Sequence, residues 1–342
     1  MEEKSYKTGR IEYLDIFRAF GIILMIMGHI KFGSYFDKWI HAFHMPMFFF
    51  VSGWFFKTKE SIGTQIAKKV RSLLLPYVFW EIFLWAILMI FVSEYRSLQT
   101  LQYIFTENTY KIPIENGTFG ISPIPGAMWF LTALFFVELI YILLDWVLGC
   151  NWKLHVAVIF ISCTGMLVPT LMTFRLPLAL DSAFVGIGLF HIARMTKGSK
   201  AERIMDLKPW QTLTIGAVVS ISIIICPTIN MRTGNYSWYI TFWINALGAI
   251  AAGWNISRYT EKLLSGRRIL SRVSGWLKEI GRNSIVYLCF NQIVILAVTK
   301  GMDMIGIKGI VAKVPILIFT LAILSCFEVL ICKTKLKALI GK

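Results

Sequence analysis

Charge is scarce in this chain. Asp, Glu, Lys and Arg make up 16% of its 342 residues, against about a quarter in ordinary soluble domains. Acidic residues are scarcer still, 19 against 35 Lys and Arg. Cysteine is limited to six residues, none at metal-ligand spacing and none forming a paired framework, so a disulfide scaffold and a zinc module are excluded. Cys163, Cys226, Cys289 and Cys326 fall inside apolar runs, and Cys150 and Cys332 near run ends; these are expected to be small buried residues. No internal repeat, low-complexity tract or appended soluble domain is evident, so residues 1–342 are expected to form one integral-membrane domain. A cleavable leader is not evident either. The first apolar run lacks a small-residue cleavage site and carries Arg18 and His29.

What the chain has instead is apolar length. Hydrophobic residues reach 56% and the mean hydropathy is +0.65. A soluble core of this size cannot hide so much apolar surface, whereas a bilayer can. The net charge of +16 would fit nucleic acid in a soluble protein. Here the cations cluster between apolar runs and no recognition motif accompanies them, so they read as loops meeting anionic lipid and nucleic acid is excluded.

A spanning helix needs about 20 mostly apolar residues. Ten segments qualify: Leu14–Ile30, Ile40–Phe56, Leu74–Val92, Met128–Leu148, Leu154–Phe174, Leu176–Arg194, Trp210–Pro227, Trp238–Ser257, Ile280–Thr299 and Val311–Lys333. The expected fold is therefore all-α and polytopic. The fifth and sixth segments are nearly contiguous and read as a tight helical hairpin. With the N-terminus inside, about 25 Lys and Arg fall on the inner side, among them Lys4, Lys7, Arg10, Lys59 and Arg267, and about 9 on the outer side. That asymmetry places both termini in the cytoplasm. The longest outer loop, Ser93–Ala127, holds Pro113, Pro123, Pro125, Gly117, Gly120 and Gly126, and loops of that length are often functional.

Titratable groups inside a span are costly and demand a reason. The first segment holds Asp15, Arg18 and His29. Asp15 and Arg18 are i, i+3 neighbours able to pair. Arg18 and His29 are 11 residues apart, within about 20° of three full turns, so they share a face about 16 Å apart along the axis. Interfacial placement of these three accounts for them equally well when they are taken alone. The second segment returns from the outer side, so His41 and His44 come beside His29. Pro46 is expected to kink that helix, and Ser52 and Gly53 to admit a close neighbour, helix or ligand. Three histidines also match a metal site, though without carboxylate or thiol support.

These residues resemble the membrane acyltransferase-3 family. The pattern is Leu14-Asp15-x-x-Arg18-Ala19, ten intervening residues to His29, then Phe49-Phe50-Val51-Ser52-Gly53-Trp54, Lys68-x-x-Arg71 and Leu75-Pro76-Tyr77. Met128-Trp129-Phe130-Leu131 is similar to the family's fourth helix, and Asp181-Ser182-Ala183-Phe184 resembles its fucose 4-O-acetylase-like branch. Two positions depart. Lys68 stands where the family has the first of two arginines, and Phe290 or Asn291 where a histidine follows Tyr287-Leu288.

The resemblance implies transfer of an acetyl group from cytoplasmic acetyl-CoA, a co-substrate rather than a tightly held cofactor, to a hydroxyl of a cell-envelope sugar, polysaccharide or lipid-linked glycan. It also implies a multi-pass protein of a bacterial plasma membrane, in which Asn116 would carry no glycan. His29 is then the general base, with an acyl-histidine role left open, and Asp15 holds Arg18. Lys68, Lys69, Arg71, Tyr77, Ser52 and Gly53 are the expected acyl-CoA contacts. His44, Trp129, Asp181 and Asn291 are the expected acceptor contacts, and no metal is expected. For Ser52, Tyr77, Trp129 and Asp181, packing accounts for the residue equally well. The rival reading is a proton-coupled carrier, which buried Asp, Arg and His also describe. Against it, no two halves repeat and the charges gather in the first segment.

Overall fold

The computed structural model describes residues 11–58, 60–91, 96, 111–114, 117–120, 127–172, 175–236, 238–266 and 268–342. Lys4, Lys7, Arg10, Lys59, Arg267, Asn116 and most of the Ser93–Ala127 loop lie outside them.

The fold is a helical bundle. Its elements run α1 (Glu12–Ile30), α2 (Ser34–His41), α3 (His44–Trp54), α4 (Ile62–Lys69), α5 (Leu75–Phe91), a hairpin of β1 (Lys111–Ile114) and β2 (Gly117–Gly120), α6 (Trp129–Leu148), α7 (Trp152–Leu171), α8 (Leu180–Thr196), α9 (Pro209–Ile225), α10 (Tyr239–Leu264), α11 (Arg268–Arg282), α12 (Ser284–Met304) and α13 (Ile310–Lys333). Among the described residues, seven helices, α4 and α5 counting as one, are long and apolar enough to cross a membrane. The other expected spans fall on α3, with 11 residues, on α9, with 17, and on α10, with 26. Many large apolar side chains face outward, including Phe160, Leu171, Leu213, Ile225, Ile240 and Ile310. Such a surface is stable in hydrocarbon and not in water. This is a polytopic membrane protein, and the antiparallel β1–β2 pair is a small exception to its all-α character.

Four expectations need correction. The second expected segment is two helices, broken at Ala42–Phe43. Pro46 lies in the first turn of α3, where a missing N–H costs nothing, so it starts that helix rather than kinking it. The ninth segment begins at Ser284, after a break at Asn283, and what precedes it is a separate amphipathic helix, α11. Cys150, Cys163 and Cys326 are exposed rather than buried. The expected hairpin is present: α7 and α8 pack along their length, joined by a connection in which Leu178 and Ala179 adopt positive φ.

Between α4 and α5 the chain widens into a π turn over Val70–Leu74. The cause is Pro76. Its ring lacks an N–H and would strike the carbonyl of Ser72 in a regular helix, and a wider turn relieves that clash.

Buried carboxylates fix the rest of the packing, because an ion inside a span must be paired. Asp15 accepts from Arg18 at 3.4 Å and from Arg282 of α11 at 3.2 Å. Glu138 of α6 pairs with Lys69, and Asp181 of α8 with Arg175. Arg194 of α8 meets Asp145 of α6 at 2.5 Å. Glycines allow the closest approaches. A Cβ on Gly281 would lie 1.8 Å from the Asp15 carbonyl oxygen, and one on Gly53 2.0 Å from that of Phe190. Gly53 thus admits the close approach of α8.

Candidate active site

Charged groups of α1 lie at opposite ends of the helix and build two separate regions. The first region is at its C-terminal end. There α1 stops at Lys31, whose positive φ turns the chain into α2. His29, His44 and Trp129 line one cavity of about 310 Å³, with Asp37, His41 and Arg232 in the same wall. Three expected residues from α1, α3 and α6 therefore meet.

The imidazoles of this cavity are held by specific bonds. His44 Nδ1 is 2.8 Å from the Ile40 carbonyl, and His41 Nδ1 is 2.6 Å from that of Asp37. A carbonyl only accepts, so in the neutral form each Nδ1 carries the proton and each Nε2 keeps its lone pair. Their rings stand edge to face, 5.2 Å apart. His29 Nδ1 lies 3.3 Å from the side-chain amide nitrogen, Nε2, of Gln292 on α12. An amide can donate or accept, so its orientation sets which nitrogen of His29 is free. One oxygen of Asp37 is buried with no hydrogen-bond partner, and burial holds that carboxyl above the usual carboxylate range. Among the described residues, no group of three or more His, Cys, Asp or Glu is placed to hold a metal ion.

Asp181 and Asn291 do not line this cavity. Asp181 is fully buried behind it, paired with Arg175 and accepting from the Ser182 N–H. Asn291 is fully buried in α12 and donates to the Tyr287 and Leu288 carbonyls.

The second region surrounds the N-terminal half of α1. The Arg18 guanidinium lies 5.0 Å over the Phe55 ring at the end of α3. Lys197, just beyond α8, donates to the Trp54 carbonyl at 2.8 Å and faces the same Phe55 ring at 5.5 Å. Burial pushes the Lys197 ammonium below its ordinary range, and nearby Lys57 adds to that effect. Unlike charges brought there would restore it. Lys68 is exposed and bonded to Glu60 at 2.5 Å, Lys69 is committed to Glu138, and Arg71 is exposed on the π turn. Tyr77 is buried in α5 and Ser52 half-buried in α3.

Gln292, Arg232, Asp37 and Lys197 were not singled out from the sequence. Gln292 stands one residue beyond Asn291, and Lys197 is one of the many Lys and Arg on the inner side.

The family model described as an acyltransferase domain, that of acyltransferase-3 proteins, matches residues 11–330. No curated protein and no solved structure matches the chain.

Proposed function

The chain belongs to the acyltransferase-3 family, and from that premise we propose that it carries an acetyl group from cytoplasmic acetyl-CoA to a hydroxyl of a cell-envelope sugar, with His29 as general base. The family places it among enzymes rather than carriers. The coarse activity, membrane acyltransfer, follows from the family, and the donor, acceptor and residue roles are our reading.

One observation carries it. A histidine from a spanning helix opens into a polar cavity with Trp129, while the same helix presents Arg18 about 16 Å away along its axis. A CoA donor is a long polyanion. Its phosphates would sit among Arg18, Lys197 and the exposed Lys68 and Arg71, cations suited to phosphate. The pantetheine arm would lie along α1 and bring the thioester to the cavity.

In the reaction, His29 Nε2 accepts the proton of the acceptor hydroxyl as its oxygen attacks the thioester carbonyl carbon. The carbon–sulfur bond then breaks, and the thiolate takes the proton back from the imidazolium. This role needs a lone pair on Nε2, which requires the Gln292 amide turned over from its recorded orientation, so that its oxygen rather than its nitrogen faces His29 and accepts from Nδ1–H. Gln292 is a positioning residue in this scheme, an uncharged counterpart of the carboxylate that orients histidine in many hydrolases. Trp129 gives the sugar an apolar face, and His44 Nε2 offers a second acceptor for a sugar hydroxyl. The protein would sit in a bacterial plasma membrane with both termini in the cytoplasm.

The test is acetyl-CoA turnover by purified protein in liposomes, wild type beside His29→Ala. A loss of about 100-fold or more is expected when a general base is removed. Equal turnover in the variant would remove His29 from the mechanism.

A further inference from the structure

The loop between α9 and α10 carries one side chain of the cavity on a firmly anchored backbone. Arg232 is that side chain, with Lys31, Asn230 and Thr233 beside it. Its backbone is anchored from several sides. Arg175 donates to the Arg232 carbonyl at 2.7 Å while paired with the fully buried Asp181. Asn230 Oδ1 accepts from the N–H of Arg232 at 3.0 Å, and Asn230 and Asn235 exchange backbone bonds across the turn. Gly234 has φ +70°, and a Cβ there would meet Pro169 of α7 at 2.6 Å. Met231 and Tyr236 are buried on either side of the turn. Asp181, Arg175 and Ser182 therefore act behind the cavity, as the base that carries this loop.

The charge balance then points to a ligand. Arg232 and Lys31 are permanent cations in the wall, and Asp37 is the one carboxylate among the wall residues. A neutral sugar needs no such field. A guanidinium carried on this anchored loop, beside a base and an aromatic wall, matches an acid group on the molecule whose hydroxyl reacts. Pre-positioning makes that match effective, because no loop must be ordered when the ligand arrives.

We propose that Arg232, assisted by Lys31, binds an anionic group of the acceptor, carboxylate or phosphate, beside the hydroxyl that His29 deprotonates. The acceptor is thus an acidic glycan: a uronic-acid-type sugar or a sugar or polyol bearing a phosphate. The reacting hydroxyl rests on the acyltransferase reading; the anion site itself does not.

Binding without any acyl donor tests it. Full-length protein in detergent is titrated with methyl glucuronide, glycerol phosphate and methyl glucoside, followed by ligand-observed NMR, which reads weak affinities. At least one anion should bind about ten-fold or more tightly than the neutral glucoside, the scale of one charge-assisted bond. Which anion wins identifies the source of the charge. Arg232→Gln should abolish that preference. Arg232→Lys, the second variant if Arg232→Gln does not fold, should retain part of it, since a point charge replaces a fork. Equal binding of all three probes, or a preference that survives in Arg232→Gln or is undiminished in Arg232→Lys, would overturn the proposal. Because no donor is present, a failure of turnover bears on the acyltransferase reading and leaves this result standing.

Discussion

At the scale of single residues, chemistry depends on partners far away in the chain. His29 was legible because a histidine in an apolar segment is conspicuous, and His44 and Trp129 because they share its end of the bundle. Gln292 was not, since it reaches His29 across 263 residues and has no periodic signature. Arg232 was equally hidden, in a short loop whose shape comes from Arg175 and Asn230. Asp181 is conspicuous in the sequence as an acid at the start of a span, and the structure pairs it with Arg175, one layer behind the cavity. The Gln292 role makes a prediction. Gln292→Leu should lower turnover about ten-fold or more by releasing the tautomer, while leaving donor binding intact. Gln292→Glu should move the acid limb of the pH–rate profile to higher pH, because a carboxylate favours the protonated imidazole and a base must be neutral to act. A pH profile unchanged in Gln292→Glu would show that the amide only fills space. Arg175 makes a second. Arg175→Met leaves the Asp181 carboxylate buried without its partner and should cost about 3–5 kcal/mol, read as a lowered thermal midpoint in detergent.

At the scale of elements, the sequence pattern located the spans better than their ends. Hydropathy cannot see that Ala42–Phe43 breaks a helix, because apolar residues continue through the break. Nor does it register α11, whose polar face resembles a loop on an averaged scale. That helix matters. It packs along α1, places Arg282 on Asp15, and sends Lys278 to both Glu12 and Glu261. The contact depends on Gly281, where a Cβ would collide with the Asp15 backbone. Gly281→Ala should therefore force the helices apart at a cost of about 1–3 kcal/mol, as overpacking does. Measured unfolding midpoints would show it, and an unchanged midpoint would mean that the α1–α11 crossing is loose. Gly53 against Phe190 is the analogous contact between α3 and α8. The π turn was similarly latent in Pro76, whose ring excludes a regular turn before it.

At the scale of the whole molecule, membrane character was plain from composition, since the outward-facing apolar surface could not face water. Sidedness rests on the distribution of Lys and Arg alone. It predicts labelling: a variant keeping only Cys150, in the exposed turn between α6 and α7, should react with an impermeant maleimide only after intact cells are opened. Tyr35→Cys, on the exposed side of α2, should react without opening. The reverse pattern would invert the molecule and put the donor on the wrong side of His29. The most direct test of the whole account is sided transfer in sealed proteoliposomes. Labelled acetyl-CoA is supplied to the face bearing Lys197, and methyl glucuronide and methyl glucoside to the other. Label should appear on an acceptor hydroxyl across the bilayer, and His29→Ala should stop it. Transfer that persists at full rate in His29→Ala, or that requires donor and acceptor on the same face, would contradict the account.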